Sequence, residues 1–499
     1  ATVWIKICEG NQHFWGGINI SGNHIFSEQE IASVLQIKNG KPVNIFLLRE
    51  NLEQLSQLYK NAGKNNATFS DSLKLSDRVT LFLKIYEGKN FYFGKTEITG
   101  LKTIRSSVVK REIFYRVGEV FSPAKMKEIQ KRLFDLNLFS NVTIHDLPSD
   151  SIDRRIPIQI HCTELKMRGI EINTGISQER GIIEGAEPTS TINLRGNWFH
   201  RDIGRAGESL RITTQIATEI SRNIGLPKIL RANIDFAGPW TLRWKIPYGI
   251  RFLYVRTIEL DQIKEQFGTE FSFRTLTSEK KWWRHNFTWK QIRLEGENIP
   301  QTDLGENFEH SISSAYYSDS RDNFIYPNQG EHVNIRGKYS FKFLGGTNHY
   351  ARIDIAFSKY YPSIFHSQIA IRLKPGFAHA FENGIPLYEK FLLGGANSIR
   401  GIADGTIGAD GDGNIRFLAN TEWRFSLPFS FRCVLFADFG NVWSSFDQLQ
   451  LTEMFGSAGF GIHYETPLGP FRIDWGKIIF SPDHKKYLPQ IHLALQYAF

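Results

Sequence analysis

The sequence predicts small α+β modules followed by an all-β, 16-stranded antiparallel transmembrane barrel. Two observations carry that expectation. A strand, helix, helix, strand, strand order occurs twice before residue 166. From about Met167 the helical periodicity disappears, and segments of period two run on to Phe499.

The repeat is visible residue by residue. Val3-Trp-Ile-Lys-Ile-Cys-Glu-Gly10 matches Leu81-Phe-Leu-Lys-Ile-Tyr-Glu-Gly88. An aromatic pair with glycine follows each, Phe14-Trp15-Gly16 or Tyr92-Phe93-Gly94. Next comes a short strand closed by Gly22 or Gly100, then a helical stretch, Ser27 to Leu35 or Arg105 to Tyr115. A Gly/Pro turn leads into a second helix. In the later copy Ser122 is its N-cap and Pro123 sits in the first turn, where a missing N–H costs nothing. Met126, Ile129, Leu133 and Leu136 then fall on one face. Val142-Thr-Ile144 and Ile156-Pro-Ile-Gln-Ile160 close the copy. This order, with those glycines, resembles the POTRA domain of outer-membrane assembly and transport proteins. One copy spans 11–88 and another 89–165. Residues 1–10 read as the last strand of an earlier, truncated copy, and position 1 is not Met.

The barrel spans 166–499. Val333, Ile335, Tyr339, Phe341 and Phe343 alternate with Asn334, Arg336, Lys338, Ser340 and Lys342. Ile369, Ile371 and Leu373 alternate with Ala370, Arg372 and Lys374. Ile415, Phe417 and Trp423 alternate with Arg416, Asn420, Glu422 and Arg424. Period two puts each set on one face of a sheet. One face is apolar, and the other carries charge as a water-filled lumen does. About sixteen such segments occur, many near the roughly 9–11 residues of a tilted spanning strand. Lipid offers the backbone no partners, so such a sheet must close on itself.

Composition agrees with this and excludes other classes. The chain has 499 residues, enough for a barrel plus small modules. No apolar run approaches the roughly 18 residues of a spanning helix. Net charge is +9, but the cations stand singly at strand spacing, without a nucleic-acid recognition motif, so nucleic acid is not an expected partner. Cys8, Cys162 and Cys433 lie too far apart for metal-ligand or redox spacing. There is no Gly-x-Ser-x-Gly elbow, His-Glu-x-x-His or P-loop, so no enzyme, cofactor or metal is expected. Asp410-Gly-Asp412-Gly-Asn414 imitates a calcium loop but has Ile415 and Thr421 where Gly and Glu are needed, and reads as a turn.

The C-terminal third carries the functional signal. Phe391-Leu-Leu-Gly-Gly-Ala-Asn-Ser-Ile-Arg-Gly-Ile402 is apolar, then Gly-rich, with a lone Arg. Phe436-Ala-Asp438-Phe-Gly440 lies on the next-but-one strand. Thr466-Pro-Leu-Gly-Pro-Phe-Arg-Ile-Asp474 precedes and enters the penultimate strand, and the chain stops on an aromatic, Phe499. This ordered set resembles the BamA/TamA superfamily of outer-membrane insertases and translocases, and with the repeats the resemblance covers nearly the whole chain. Family members usually carry an aromatic where Ile402 stands.

A guanidinium entering a lumen needs a carboxylate, because a bidentate pair supplies both charge and geometry. The candidate lumenal anchor is Ser398, Ile399, Arg400, Gly401 and Ile402. The resemblance implies Asp438 as the partner of Arg400, with Glu422 as a nearby candidate and Gly440 beside them. It also implies a non-enzymatic insertase of the bacterial outer membrane, with its N-terminal modules in the periplasm. Its partners would be unfolded outer-membrane protein clients, accessory assembly subunits and the lipid bilayer. First and last strands, Met167 to Ser177 and Gln490 to Phe499, would meet in a weak seam at Gly169, Gly175, Leu495, Tyr497 and Phe499. The alternative within the superfamily is a protein translocation channel.

Overall fold

The computed structural model describes residues 11–148, 154–179, 189–219, 227–241, 244–259, 262–278, 280–296, 304–364, 367–382, 384–408, 413–450, 452–466 and 470–495. The expected strand at 1–10 and the acidic turn at 410–412 lie outside them. The chain divides into two compact units. One is made by the residues up to Met167 with Gly204–Gly207, the other by Arg168–Ile203 and Glu208–Phe499.

The first unit holds two modules of one design. The first runs β1 (Trp15–Ser21), α1 (Glu28–Leu35), α2 (Ile45–Asn61), β2 (Thr68–Lys74) and β3 (Val79–Tyr86). The second runs β4 (Tyr92–Thr99), α3 (Ser106–Lys110), α4 (Pro123–Asp135), β5 (Phe139–Asp146) and β6 (Arg155–Glu164). In each sheet the last strand is central, parallel to the first and antiparallel to its hairpin partner. Helix α1 opens on a capping box: Glu30 N–H donates to Ser27 Oγ at 3.3 Å, and Ser27 N–H to the Glu30 carboxylate at 2.8 Å. The face predicted for α4 is the buried one: Ile129 and Leu133 are fully buried, and Met126 and Leu136 pack beside them.

Two local expectations need correction. Ser122 stands at the N-cap of α4, but its side chain caps nothing. Asn61, from the end of α2 in the other module, accepts from Ala124 N–H at 2.9 Å and from the Ser122 hydroxyl at 3.3 Å. The helix expected from Arg105 to Tyr115 is only Ser106–Lys110. Tyr115 leaves it to stack on Phe93, with centroids 3.9 Å apart, and to bond Thr96 Oγ1 at 2.5 Å. Tertiary packing outweighs local propensity there.

The glycine and glutamate that mark each repeat form one device. Gly22 and Gly100 have φ of +82° and +84°. A Cβ on them would lie 2.2 Å from the Ile85 carbonyl oxygen or 2.3 Å from that of Cys162. Two residues after each of these, Glu87 accepts from the N–H groups of His24 and Ile25, and Glu164 from those of Lys102, Thr103 and Ile104. Burial pushes each carboxyl up, but these donors more than reverse it and hold both below the ordinary 4.5. Each glutamate therefore contributes stability above that value, and loses it as pH falls through its depressed folded pKa. Glu164→Gln should cost about 1–2 kcal/mol. Reduced hydrogen-exchange protection at the Lys102–Ile104 amides would show it; unchanged protection would refute it. Cys162, buried beneath this turn in β6, has its thiol pushed up to about 11 by burial and by Glu164.

The second unit is a closed antiparallel barrel. Its strands are β7 (Arg168–Glu179), β8 (Thr189–His200), β9 (Ser209–Glu219), β10 (Ile229–Gly238), β11 (Tyr248–Glu259) and β12 (Gln262–Ser278). Then come β13 (Lys281–Glu295), β14 (Gly305–Asp319), β15 (Gly330–Ser340), β16 (His349–Pro362), β17 (Ser367–Leu373) and β18 (Gly376–Glu382). Last are β19 (Ile415–Ser426), β20 (Phe431–Trp443), β21 (Phe455–Tyr464), β22 (Phe471–Phe480) and β23 (Gln490–Leu495). Neighbours in sequence are neighbours in the sheet, and β23 lies beside β7. Both β17 and β18 lie between β16 and β19. They are one stave broken at Lys374-Pro375, where proline has no N–H for the ladder. Among the described residues, seventeen segments thus make sixteen staves.

The side chains are sorted the opposite way from a soluble globule. Ile335, Leu373, Trp423, Leu435, Ile462, Ile473, Ile491 and Leu493 are exposed on the outer face. Arg372, Asn420, Glu422, Arg424, Asp438, Arg472 and Asp474 are buried on the inner face. An apolar exterior around a charged interior is the pattern of a barrel solvated by lipid. No helix among the described residues is long and apolar enough to cross a membrane. The alternation predicted through Phe343 stops at Ser340: Phe341 and Phe343 belong to the connection to β16, which turns at Leu344 (φ +66°) and Gly345 (φ +92°).

Candidate functional site

The connection between β18 and β19 folds into the lumen rather than away from it. Its limbs pair where Leu393 and Ile407 exchange backbone hydrogen bonds at 3.0 Å, and Gly395 N–H donates to Ile402 O at 3.0 Å. Ile399 and Ile402 are buried with Phe391, Leu393 and Ile407 against Leu418, Val442, Phe455 and Ile478 of the wall. Ile402 is thus held by apolar packing. Ile402→Ala should cost about 2–4 kcal/mol through the cavity it leaves. Faster protease cleavage of the loop in the folded barrel would register it, and an unchanged rate would show the contact to be idle.

Arg400 is fully buried at the tip. Its Nε and Nη2 donate to the two oxygens of Asp438, each at 2.8 Å, and its backbone N–H donates to Asp438 Oδ2 at 3.1 Å. Nη1 donates to Glu422 Oε1 at 2.7 Å and reaches Asp474 Oδ2 at 3.5 Å. The guanidinium lies 3.5 Å from the centroid of the Phe436 ring. Asp438 and Glu422 thus both engage Arg400, and neither is in reserve. The alternation places them: Asn420 and Asp438 are cross-strand partners, so the inward faces of β19 and β20 meet at the same level.

A second ring of groups holds this node. Asn420 Nδ2 donates to Asp438 Oδ1 at 2.8 Å and to Ser398 O at 2.7 Å. Arg372 donates to Asn420 Oδ1 and, at 2.8 Å, to Asn397 O. Arg472 reaches Ala396 O at 2.9 Å and Asp474 Oδ2 at 2.9 Å, and His463 pairs with Asp474 at 2.8 Å. Arg424 pairs with Glu422 at 2.7 Å. Four guanidinium groups, those of Arg372, Arg400, Arg424 and Arg472, therefore surround three carboxylates, all on the buried inner face or at the loop tip. Such a cluster survives burial because every carboxylate is both paired and hydrogen-bonded.

Glycines let the backbones touch. Gly401 has φ +93°, and a Cβ on it would lie 2.9 Å from Gly476 C and Lys477 N. A Cβ on Gly476 of β22 would lie 2.8 Å from Gly401 N. Gly401 N–H donates to His492 Nε2 of β23 at 2.8 Å. Gly440 faces the loop base, with Leu393 Cδ1 3.2 Å from its Cβ direction. Ser398 Oγ accepts from Gly394 N–H at 3.2 Å, tightening the turn before Arg400.

The expected seam residues are less uniform. Gly169 in β7 is covered by the ring of Phe199, 2.6 Å from its Cβ direction, whereas nothing lies within 4 Å of that of Gly175. Leu495 ends β23, and Tyr497 and Phe499 lie outside the described residues. Sequence reasoning missed Asp474, Arg472, His463, Arg372, Asn420, Phe436, Gly476 and His492 as members of the node. The alternation had already put Arg372 and Asn420 on the charged face, and the same period through Arg472 and Asp474 was the available signal for those two. Among the described residues no group of His, Cys, Asp or Glu is placed to hold a metal ion.

Two repeated α+β modules joined to a closed barrel, with an Arg-tipped loop locked in its lumen, define a POTRA-bearing transmembrane barrel. Residues 207–499 match the Omp85 superfamily domain, and residues 14–88 and 91–164 match the POTRA model, described as a surface antigen variable number repeat. The chain belongs to the Omp85 superfamily. It is 21% identical to the outer membrane protein assembly factor BamA of Neisseria meningitidis serogroup B, over 95% of this chain and 65% of that protein. The chain spans 26%, 65% and 60% of the lengths of the first curated relatives it matches. Among solved structures it resembles BamA from Haemophilus ducreyi lacking POTRA domains 1–3, with TM-score 0.68, 18% identity, and coverage of 96% of this chain and 98% of that one. CdiB from Escherichia coli is similar with TM-score 0.55 and 13% identity, over 98% of this chain and 92% of that one. The protein is placed in the bacterial outer membrane, with its POTRA modules in the periplasm.

Proposed function

We propose that this protein assembles β-barrel proteins into the outer membrane through a lateral seam between β7 and β23. The observation that carries the reading is the contact between the loop and the last strand. Gly401, beside the buried Arg400, donates to His492 of β23, so the lock sits against the stave that would have to part. An opened β23 or β7 edge presents free N–H and C=O groups to which a client strand can add. The client's own burial in lipid supplies the free energy, and accessory subunits deliver it. Its similarity to outer membrane protein assembly factors supports this class of client.

A translocation channel is the second reading. The loop, its apolar packing and four arginines lie inside the barrel, where a conducting path would run. The seam is tested with cysteine pairs placed at several registers across β7 and β23, in a background lacking the native cysteines. Oxidation should abolish insertion of a model barrel into liposomes, and reductant should restore it. Full activity with the seam covalently closed would overturn the proposal, and a wide stable conductance without insertion would favour the channel.

A further inference from the structure

The loop makes a separate set of charged contacts with another part of the wall, well before Arg400. A single 3-10 turn, Leu387–Glu389, follows its entry. The Glu389 carboxylate accepts from Lys338 Nζ at 2.6 Å and from Arg352 Nη1 at 3.1 Å. Arg352 Nη1 also donates to the Glu389 carbonyl at 2.6 Å. Lys338 in turn pairs with Glu309 at 2.9 Å. These partners belong to β14, β15 and β16, none of which contributes to the Arg400 node. Next to it, Tyr388 accepts from Asn348 Nδ2 at 3.1 Å, lies 5.0 Å below Lys264 Nζ and packs on Ile292 and Leu294. Two residues on, the buried Phe391 ring sits between the guanidinium groups of Arg352, at 4.2 Å, and Arg416, at 4.6 Å.

We propose that Glu389 is a second positioning residue of the lumenal loop, locking its stem to β15 and β16 independently of the lock at Arg400. A loop held only at its tip can swing about its two ends. Held at stem and tip, it is a strut between two stretches of wall, β14–β16 on one side and β19, β20 and β22 on the other. The barrel cannot then change the distance between those stretches without breaking one charged node. Removing a partner from a partly buried charge pair leaves the other charges facing one another, here Lys338 and Arg352. Reversing Glu389 adds a third cation to that pair.

The test uses the full chain in liposomes and planar bilayers and reads the loop, not insertion, so it stands apart from the seam hypothesis. Glu389→Lys should raise protease cleavage of the loop roughly tenfold and increase single-channel conductance. Wild-type cleavage and conductance in a folded Glu389→Lys barrel would overturn the proposal. If that chain does not fold, Glu389→Gln replaces it and keeps the shape. Combined with Arg400→Ala it should cleave faster than either single variant. A combined rate equal to that of Arg400→Ala alone would show that the loop has one lock, not two.

Discussion

Arg400→Ala should release the loop tip while leaving the barrel closed. The substitution removes the donor shared by Asp438, Glu422 and Asp474, all fully buried. Breaking a buried pair from one side costs about 3–5 kcal/mol, because the remaining charge is left without compensation. The wall tolerates that cost because each carboxylate keeps another partner. Asp438 keeps Asn420, Glu422 keeps Arg424, and Asp474 keeps Arg472 and His463. The loop tip loses its guanidinium and keeps only the hydrogen bonds at Ala396, Asn397, Ser398 and Gly401 and the packing of Ile399 and Ile402. Heat-modified gel migration should still show a folded barrel, while loop cleavage rises and insertion falls. Arg400→Lys should be nearly as damaging, since one ammonium cannot grip Asp438 with two donors and reach Glu422 as well. Asp438→Ala should share the phenotype, and wild-type loop order and insertion in that variant would disprove the pairing.

Gly476→Ala should produce the same phenotype without touching a charge. The new methyl would lie 2.8 Å from Gly401 N and 2.9 Å from Arg400 C, both backbone atoms that cannot rotate away. The tip must lift off β22, which lengthens every contact of Arg400 and overpacks the site by about 1–3 kcal/mol. Gly401→Ala should be worse, because it adds a side chain at φ +93° to the same clash. Gly337→Ala in β15 is the control: nothing lies within 4 Å of its Cβ direction, so it should be near neutral. Equal insertion rates for Gly476→Ala and Gly337→Ala would mean that close loop-to-wall contact is not needed.

The architecture was legible because it rests on periodicity. The two modules repeat, and alternation of apolar and polar residues on β17 and β19 directly names the inward set. Arg400, Asp438 and Glu422 were legible because a lone guanidinium in a Gly-rich loop needs carboxylates, and the resemblance supplied one of them. Asp474, His492 and Gly476 were not, because their part depends on the path of the loop across the lumen. That path depends in part on contacts between residues 74 or more positions apart, such as Arg400 with Asp474 and Gly401 with His492. Glu389 was hidden for the same reason. Ser122 misled because an N-cap residue signals a helix start locally, while the group that bonds the exposed N–H came from Asn61.

That borrowed cap has a consequence for how the protein is made. Most helices carry their start signal in their own sequence, as α1 does with Ser27 and Glu30. Helix α4 does not; its first turn is completed by a residue about sixty positions earlier, at the end of a helix that packs in another module. A chain delivered N-terminus first presents Asn61 before Ala124 exists. The earlier module can therefore serve as a template on which the later one nucleates, giving the pair a built-in order of maturation. Refolding of the Asn61→Ala chain should accordingly slow in the later module and spare the earlier one, a kinetic polarity that time-resolved hydrogen exchange can read directly.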